Sequence, residues 1–297
     1  MNNVIPIVFC FDKRIVLGAS VAIKSLIDSA KPSTNYDIRI FHSDLDIEIQ
    51  KNLNKLTENT NHTIAFHYIN PDIFKNAPRN NHSWTELVYY RLLTPVILKE
   101  YDKAIYSDVD VLFKGDLSEL YNTDVSDYQL AAVAAEKNAL SAIGHNYFEE
   151  NKNDYIFWSG LILFNCEKYR NEKLTDKLIQ NAKVFYDRLK AYDLDLLNVT
   201  CDNILALDLK YCVLQSLIYQ NDYKNTKEYK FLKTIYDDNK IEEVIKNPVI
   251  IHYAGRPGKP WRMKKPYNDY KEYMDKLPRE LKKQTFRDFR KKLFSKV

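Results

Sequence analysis

The sequence predicts an α/β protein: a Rossmann-like mixed sheet, largely parallel, with helices on both faces. Three observations lead there. Short apolar runs alternate with segments of helical period. The chain has 297 residues, enough for one large α/β domain or two small ones. Three apolar runs end on polar side chains, at Asp12, Asp108 and His252. Open α/β sheets bind ligands beyond the carboxyl ends of their strands, so these three ends are expected to share one site.

The elements follow in order. Residues 4–11 are a continuous apolar strand, and 16–29 carry a helical apolar stripe. Residues 36–42 form a second strand, 47–57 a helix and 63–68 a third strand. Asp44 or Asp46 supplies the N-cap of that helix. A helical stretch at 84–93 is expected to stop near Thr94-Pro95. A strand at 103–107 is followed by an extended piece at 111–113, and further strands lie at 129–135 and 157–164. A long helix at 174–192 and another from Asp193 to Thr200 precede a final strand at 248–252. No internal repeat or low-complexity linker divides the chain.

Composition narrows the class. Hydrophobic residues at 45% and charged residues at 28% are ordinary for a folded soluble protein. No apolar run approaches the roughly 20 residues of a membrane-spanning helix, and residues 4–11 are too short for a signal peptide. Cys10, Cys166, Cys201 and Cys212 form no CxxC pair and read as reduced, which points to the cytoplasm. The 22 tyrosines mostly serve cores and surfaces. With only six glycines, each is expected where the backbone needs one.

The chemistry concentrates at Asp108-Val109-Asp110. Asp-x-Asp alone carries little information, since Asp44/Asp46 and Asp193/Asp195 repeat the spacing. Only the copy at 108–110 follows a strongly apolar strand, where the spacing puts both carboxylates on one face. Like charges there call for a cation between them, and a divalent metal bridging to phosphates is the natural candidate. The second signal is His252-Tyr253-Ala254-Gly255-Arg256-Pro257-Gly258-Lys259-Pro260-Trp261. His252 is placed to complete the metal site, the glycines permit close backbone approach, and Lys259 can neutralise a phosphate. A core histidine beside a simple turn is the bland alternative.

Taken together, the strand ending in Asp12, the Asp108/Asp110 pair and His-x-x-Gly…Lys-Pro-Trp resemble glycosyltransferase family 8 over roughly residues 4–261. The resemblance implies a GT-A nucleotide-diphospho-sugar transferase, a UDP-hexose donor, Mn²⁺ (or Mg²⁺) as cofactor and retention of anomeric configuration. It assigns Asp108, Asp110 and His252 to the metal. Cys10, Phe11, Asp12, Arg91, Asp108, Val109, Asp110, Ser159, Gly160, Gly255, Gly258 and Lys259 are assigned to the UDP-sugar, with Asp12 at the uracil and Gly255 and Lys259 at the diphosphate. Asp193, Glu136 and Arg91 become the catalytic candidates.

The chain also departs from the pattern. Leu194 stands where the family has a glutamine beside the anomeric carbon, and Trp158 replaces a sugar-contacting asparagine. Ile15 replaces a base-stacking tyrosine, Lys13-Arg14 replace polar or acidic neighbours, Glu136 falls where an aspartate is usual, and one extra residue precedes Lys259. The metal and phosphate half matches and the sugar half is altered.

The expected organisation is a catalytic domain over 1–262 and a basic helical tail over 263–297. In the tail, Leu281, Thr285, Phe286, Phe289, Leu293 and Phe294 share one helical face amid Lys and Arg. Such a helix suits an anionic membrane surface at 278–297, or else packing on the catalytic domain. That would make the protein cytoplasmic and peripheral on the inner face of the membrane. The basic residues are confined to the tail and lack a nucleic-acid-binding fold, so no nucleic-acid partner is expected.

The expected function is transfer of glucose or galactose from a UDP carrier to a glycan or glycolipid acceptor in cell-surface polysaccharide or lipopolysaccharide synthesis. Two readings from other classes stand beside it. One is a non-catalytic nucleotide-sugar-binding partner of an active transferase. The other is a metal-dependent phosphatase, which leaves Lys259-Pro260-Trp261 without a role.

Overall fold

Strand β1 (Asn3–Cys10) is the axis of the fold, and its sequence explains why. Ile5, Ile7 and Phe9 enter one core cluster while Val8 and Cys10 enter another. A strand apolar on both faces belongs inside a sheet covered on both sides. The computed structural model, which describes residues 3–79 and 85–282, places it there. On one side β2 (Thr34–His42) pairs in parallel with β1, and β3 (Thr63–Tyr68) with β2. On the other, β4 (Lys103–Ser107) is also parallel to β1. Strand β7 (Tyr155–Asn165) then runs antiparallel to β4, and β6 (Leu130–Lys137) antiparallel to β7. At the far edge β8 (Ile204–Leu207) is parallel to β6. The mixed sheet thus runs β3-β2-β1-β4-β7-β6-β8.

The strand expected at 248–252 does not join this sheet. It forms β10 (Ile250–His252), which pairs with β5 (Val111–Phe113) and β9 (Val213–Leu214) in a second sheet of order β5-β10-β9. His252 lies opposite Val111 in that antiparallel register. The small sheet therefore carries the histidine to the turn that holds the two aspartates.

Helix α1 (Val16–Asp28) is buried along most of its length. At Gly18 a Cβ would stand 2.8 Å from the Trp261 ring, so the missing side chain lets the indole pack on the helix backbone. Helix α2 (Ile47–Asn54) starts at Asp46, whose carboxylate accepts from the Ile49 amide as an N-cap.

Two expectations about helices are corrected. The helical stretch near 84–93 does not end at Thr94-Pro95: helix Leu87–Tyr90 passes through a 3-10 turn, Arg91–Leu93, into helix Thr94–Ile97. Pro95 sits in the first turn of that last piece, where its missing N–H costs nothing. The long helix is α3 (Leu174–Val184) and stops well short of 192. The chain then turns, and Tyr192 at φ +40° introduces α4 (Asp193–Thr200).

Helix α5 (Asn268–Lys276) lies against α1 and buries Tyr270, and Leu277 and Leu281 enter the same core cluster. Leu281, expected on a membrane-facing stripe, is instead fully buried. The rest of that stripe, Thr285, Phe286, Phe289, Leu293 and Phe294, lies outside the described residues.

Candidate active site and metal centre

Asp108 and Asp110 lie in the turn between β4 and β5 rather than on a strand, so convergence and not pleat brings them together. Two backbone bonds fix the turn: the Asp108 amide donates to the Gly160 carbonyl at 2.8 Å, and the Tyr253 amide donates to the Asp110 carbonyl at 2.8 Å. His252 Nε2 stands 3.6 Å from Asp108 Oδ2 and 3.3 Å from Asp110 Oδ1. One ligand atom from each of the three residues falls within 4.8 Å of the others. Its other ring nitrogen, Nδ1, lies 3.4 Å from Cys212 Sγ. At Gly160 a Cβ would meet His252 Cε1 at 2.7 Å and Asp108 Oδ2 at 3.0 Å. Only glycine leaves room for this packing.

The donor set fits a divalent cation. Two carboxylates and an imidazole suit borderline metals such as Mn²⁺, and the carboxylates suit Mg²⁺ as well. Electrostatics agrees. Burial alone would raise the Asp110 carboxyl, but the charges of His252 and Lys259 outweigh it and hold it well below the usual range. The Lys259 ammonium pairs with Asp110 and also donates to the Tyr253 carbonyl at 3.0 Å. A cation already stands where the acid pair demands one.

Arg91 ties this centre to α4. Its buried guanidinium contacts Asp108 Oδ1 at 2.9 Å, Asp193 Oδ2 at 3.2 Å and the Ser159 carbonyl at 2.7 Å. It also lies 4.4 Å from the centre of the Tyr106 ring, whose hydroxyl donates to Asp108 at 2.6 Å. Burial raises the Asp193 carboxyl to about 6, although Arg91 beside it pulls the other way.

These groups line a cleft of about 740 Å³. Cys10, Asp12, Arg91, Val109, Ser159, Gly160, Gly255 and Lys259 reach it, together with the metal triad and Asp193. Burial pushes the Cys10 thiol up, so it stays neutral there. Asp12 is less free than expected, since its carboxylate accepts from the Arg14 amide at 2.8 Å and Nε at 2.7 Å. Phe11 is fully buried in the core, and neither it nor Gly258 lines the cleft.

Glu136 requires correction as a catalytic candidate. It is fully buried outside the cleft lining, and four donors occupy its carboxylate: the amides of Ile143, Gly144 and His145 at 2.6–3.0 Å and His145 Nδ1 at 3.1 Å. His145 Nε2 in turn accepts from the Trp158 indole N–H at 3.0 Å. Since that indole nitrogen can only donate, Nε2 is the accepting ring nitrogen and Nδ1 is the one that faces Glu136. Glu136 sits behind the wall, joined through His145 to Trp158.

His145 and Trp261 line the cleft without having been singled out for it. The segment around His145 has no apolar period, so only the rarity of histidine and the adjacent Gly144 could have flagged it. Leu194 and Trp158 do stand at the cleft, where the sugar half of the resemblance breaks down.

Comparison with known proteins agrees with this geometry. A family model described as "Glycosyl transferase family 8" matches residues 6–265. A lipopolysaccharide 1,2-glucosyltransferase of Escherichia coli is 26% identical over 267 residues, covering 88% of this chain and 73% of that protein. General stress protein A of Bacillus subtilis (strain 168) is 25% identical over 292 residues, covering 92% and 94%. Among solved structures, the galactosyltransferase LgtC in complex with donor and acceptor sugar analogs superposes with a TM-score of 0.75 at 22% identity, covering 94% of this chain and all of that one. This likeness bears on the fold, which is of the GT-A type.

Proposed function

The chain belongs to glycosyl transferase family 8, and on that premise we propose that it moves a hexose, glucose or galactose, from a UDP carrier to a glycan or glycolipid acceptor. The convergence of Asp108, Asp110, His252 and Lys259 on one cleft carries the reading. Its relatives include lipopolysaccharide glucosyl- and galactosyltransferases, which supports a place in cell-surface polysaccharide synthesis. A binding protein without turnover would have no need of a complete metal triad beside Arg91 and Asp193.

Asp108, Asp110 and His252 would hold Mn²⁺, or Mg²⁺ in its place, and a metal there supplies Lewis-acid stabilisation of the leaving diphosphate. The nitrogen ligand favours Mn²⁺. Lys259 adds a second positive contact on the diphosphate. Arg91 spans from Asp108 to Asp193, so it orients both carboxylates toward the reacting end of the donor. Asp12 and the backbone at Cys10 receive the base at the other end. Retention needs either a covalent intermediate or attack on the face from which UDP departs. Leu194 has no nucleophilic atom and Asp193 is held by Arg91, which favours the same-face route. The protein then works on the cytoplasmic side, with the basic residues beyond Lys282 meeting the anionic membrane surface.

The test is UDP release from UDP-glucose and UDP-galactose with Mn²⁺, with the anomeric configuration of the product read by NMR. Turnover of one donor with retention is expected. No UDP release from either sugar, or an inverted product, sinks the reading.

A further inference from the structure

The loop 254–259 between β10 and Trp261 is shaped from behind by one buried side chain. Gln215 is fully buried, and its amide nitrogen donates to the carbonyls of Ala254, Gly255 and Gly258 at 3.0, 3.5 and 3.3 Å. Gathering three carbonyls on one donor turns the loop back on itself. Gly255 at φ +72° and Gly258 at φ +126° supply the left-handed backbone this requires.

Peptide planarity gives the consequence. In a trans peptide the N–H points opposite to the carbonyl. With the carbonyls of residues 254, 255 and 258 drawn toward Gln215, the amides of Gly255, Arg256 and Lys259 are turned to the other side. Ala254, Gly255 and Lys259 line the cleft, whereas Arg256 does not. None of the three amides donates to another described residue. Successive backbone amides on one concave face attract anions.

The Gln215 acceptor is pinned as well. The Tyr267 hydroxyl reaches Gln215 Oε1 at 3.5 Å, and the Tyr267 ring stacks on Tyr219 with centroids 3.7 Å apart. Tyr219 donates to Asp269 at 2.6 Å. Tyr267 and Asp269 lie at the start of α5, so the segment beyond the Lys-Pro-Trp motif reaches the cleft loop through Gln215.

We propose that Gln215, braced by Tyr267, is a positioning residue that holds the amides of Gly255 and Lys259 as a clasp for the β-phosphate of the bound nucleotide. This rests on the UDP-donor reading and adds residues that never touch the ligand. Gln215→Glu is nearly isosteric but sets an acceptor against three carbonyls. Tyr267→Phe removes only the brace. Calorimetric titration of the full chain with UDP and with UMP, both with Mn²⁺, separates the clasp from a general structural role, because UMP lacks the β-phosphate.

Gln215→Glu is expected to weaken UDP at least tenfold and UMP by less than twofold, with Tyr267→Phe changing UDP in the same direction by a smaller factor. Equal losses for both nucleotides, or unchanged UDP affinity, overturn the clasp. If Gln215→Glu does not fold, Tyr267→Phe decides by the same comparison. No UDP binding by the unaltered chain overturns the donor reading, and the clasp with it.

Discussion

At the scale of single residues, the centre works by charge that folding has gathered. Asp110→Ala removes a metal ligand and the partner of Lys259 together. It is expected to lower turnover about 10²–10³-fold, measured as UDP release, with parallel loss of Mn²⁺ binding by calorimetry. Gly160→Ala tests packing rather than charge. Its Cβ would stand 2.7 Å from His252 and 3.0 Å from Asp108, so about a tenfold loss of Mn²⁺ affinity is expected while the circular dichroism spectrum is kept. Asp193 gives a pH signature. Its folded-state carboxyl is raised to about 6, above the roughly 4 of an unfolded aspartate. Between those values the folded chain keeps a proton that the unfolded chain has released, so stability falls as pH rises through the window and levels off above it. The thermal midpoint of the parent minus that of Asp193→Asn should therefore decline from pH 4 to 6. A flat difference would show that burial of Asp193 is not what sets its carboxyl. The Asp108/Asp110 pair was legible in the sequence as a pair at a strand end, but the role of Glu136 was not. Sequence offers a carboxylate near the motif, whereas the amides that occupy it come from a loop seven to nine residues on.

At the scale of elements, the site is assembled from the ends of β4 and β10, the middle of β7 and the start of α4. Strand β4 leads to Asp108, β7 brings Ser159 and Gly160, β10 ends in His252, and α4 opens with Asp193. The apolar runs that make these strands were readable because burial on both faces leaves near-continuous hydrophobic sequence. Helix ends were less readable. The stop expected at Pro95 failed because a proline in a first turn is compatible with helix, and the stop after Val184 has no proline or glycine to mark it. The Glu136–His145–Trp158 chain makes its own prediction. Glu136→Gln keeps the shape but loses charge-assisted acceptance of buried amides, which should cost about 1–3 kcal/mol in urea unfolding. Increased fluorescence quenching of Trp158 would accompany it as the 143–145 turn loosens. An unchanged unfolding midpoint would count against the positioning role.

At the scale of the whole molecule, two sheets meet at the cleft and the C-terminal segment closes the back. Tyr270, Leu277 and Leu281 belong to the core that surrounds α1. A chain ending at Lys276 loses Leu277 and Leu281, each worth about 2 kcal/mol of burial, and should lose several degrees in thermal midpoint. A chain ending at Lys282 keeps both. It should turn over UDP-sugar normally while losing affinity for vesicles containing anionic lipid. Equal vesicle binding by the parent and this shorter chain would remove the membrane role of the tail. The alternation of strand and helix, the apolar strand before Asp108, and the histidine, glycine and lysine of the second motif can all be read along the chain. These are local properties, written in periodicity and in which residues follow an apolar run. It took the packed chain to show that β10 leaves the main sheet to carry His252 to the aspartates, that Glu136 is buried outside the cleft lining, and that Leu281 is core. The pairing of β10 and the burial of Leu281 depend on contacts between segments tens of residues or more apart. Glu136 depends on a loop seven to nine residues on, whose path is set by the packed whole, so none of the three leaves a mark on the periodicity of the sequence.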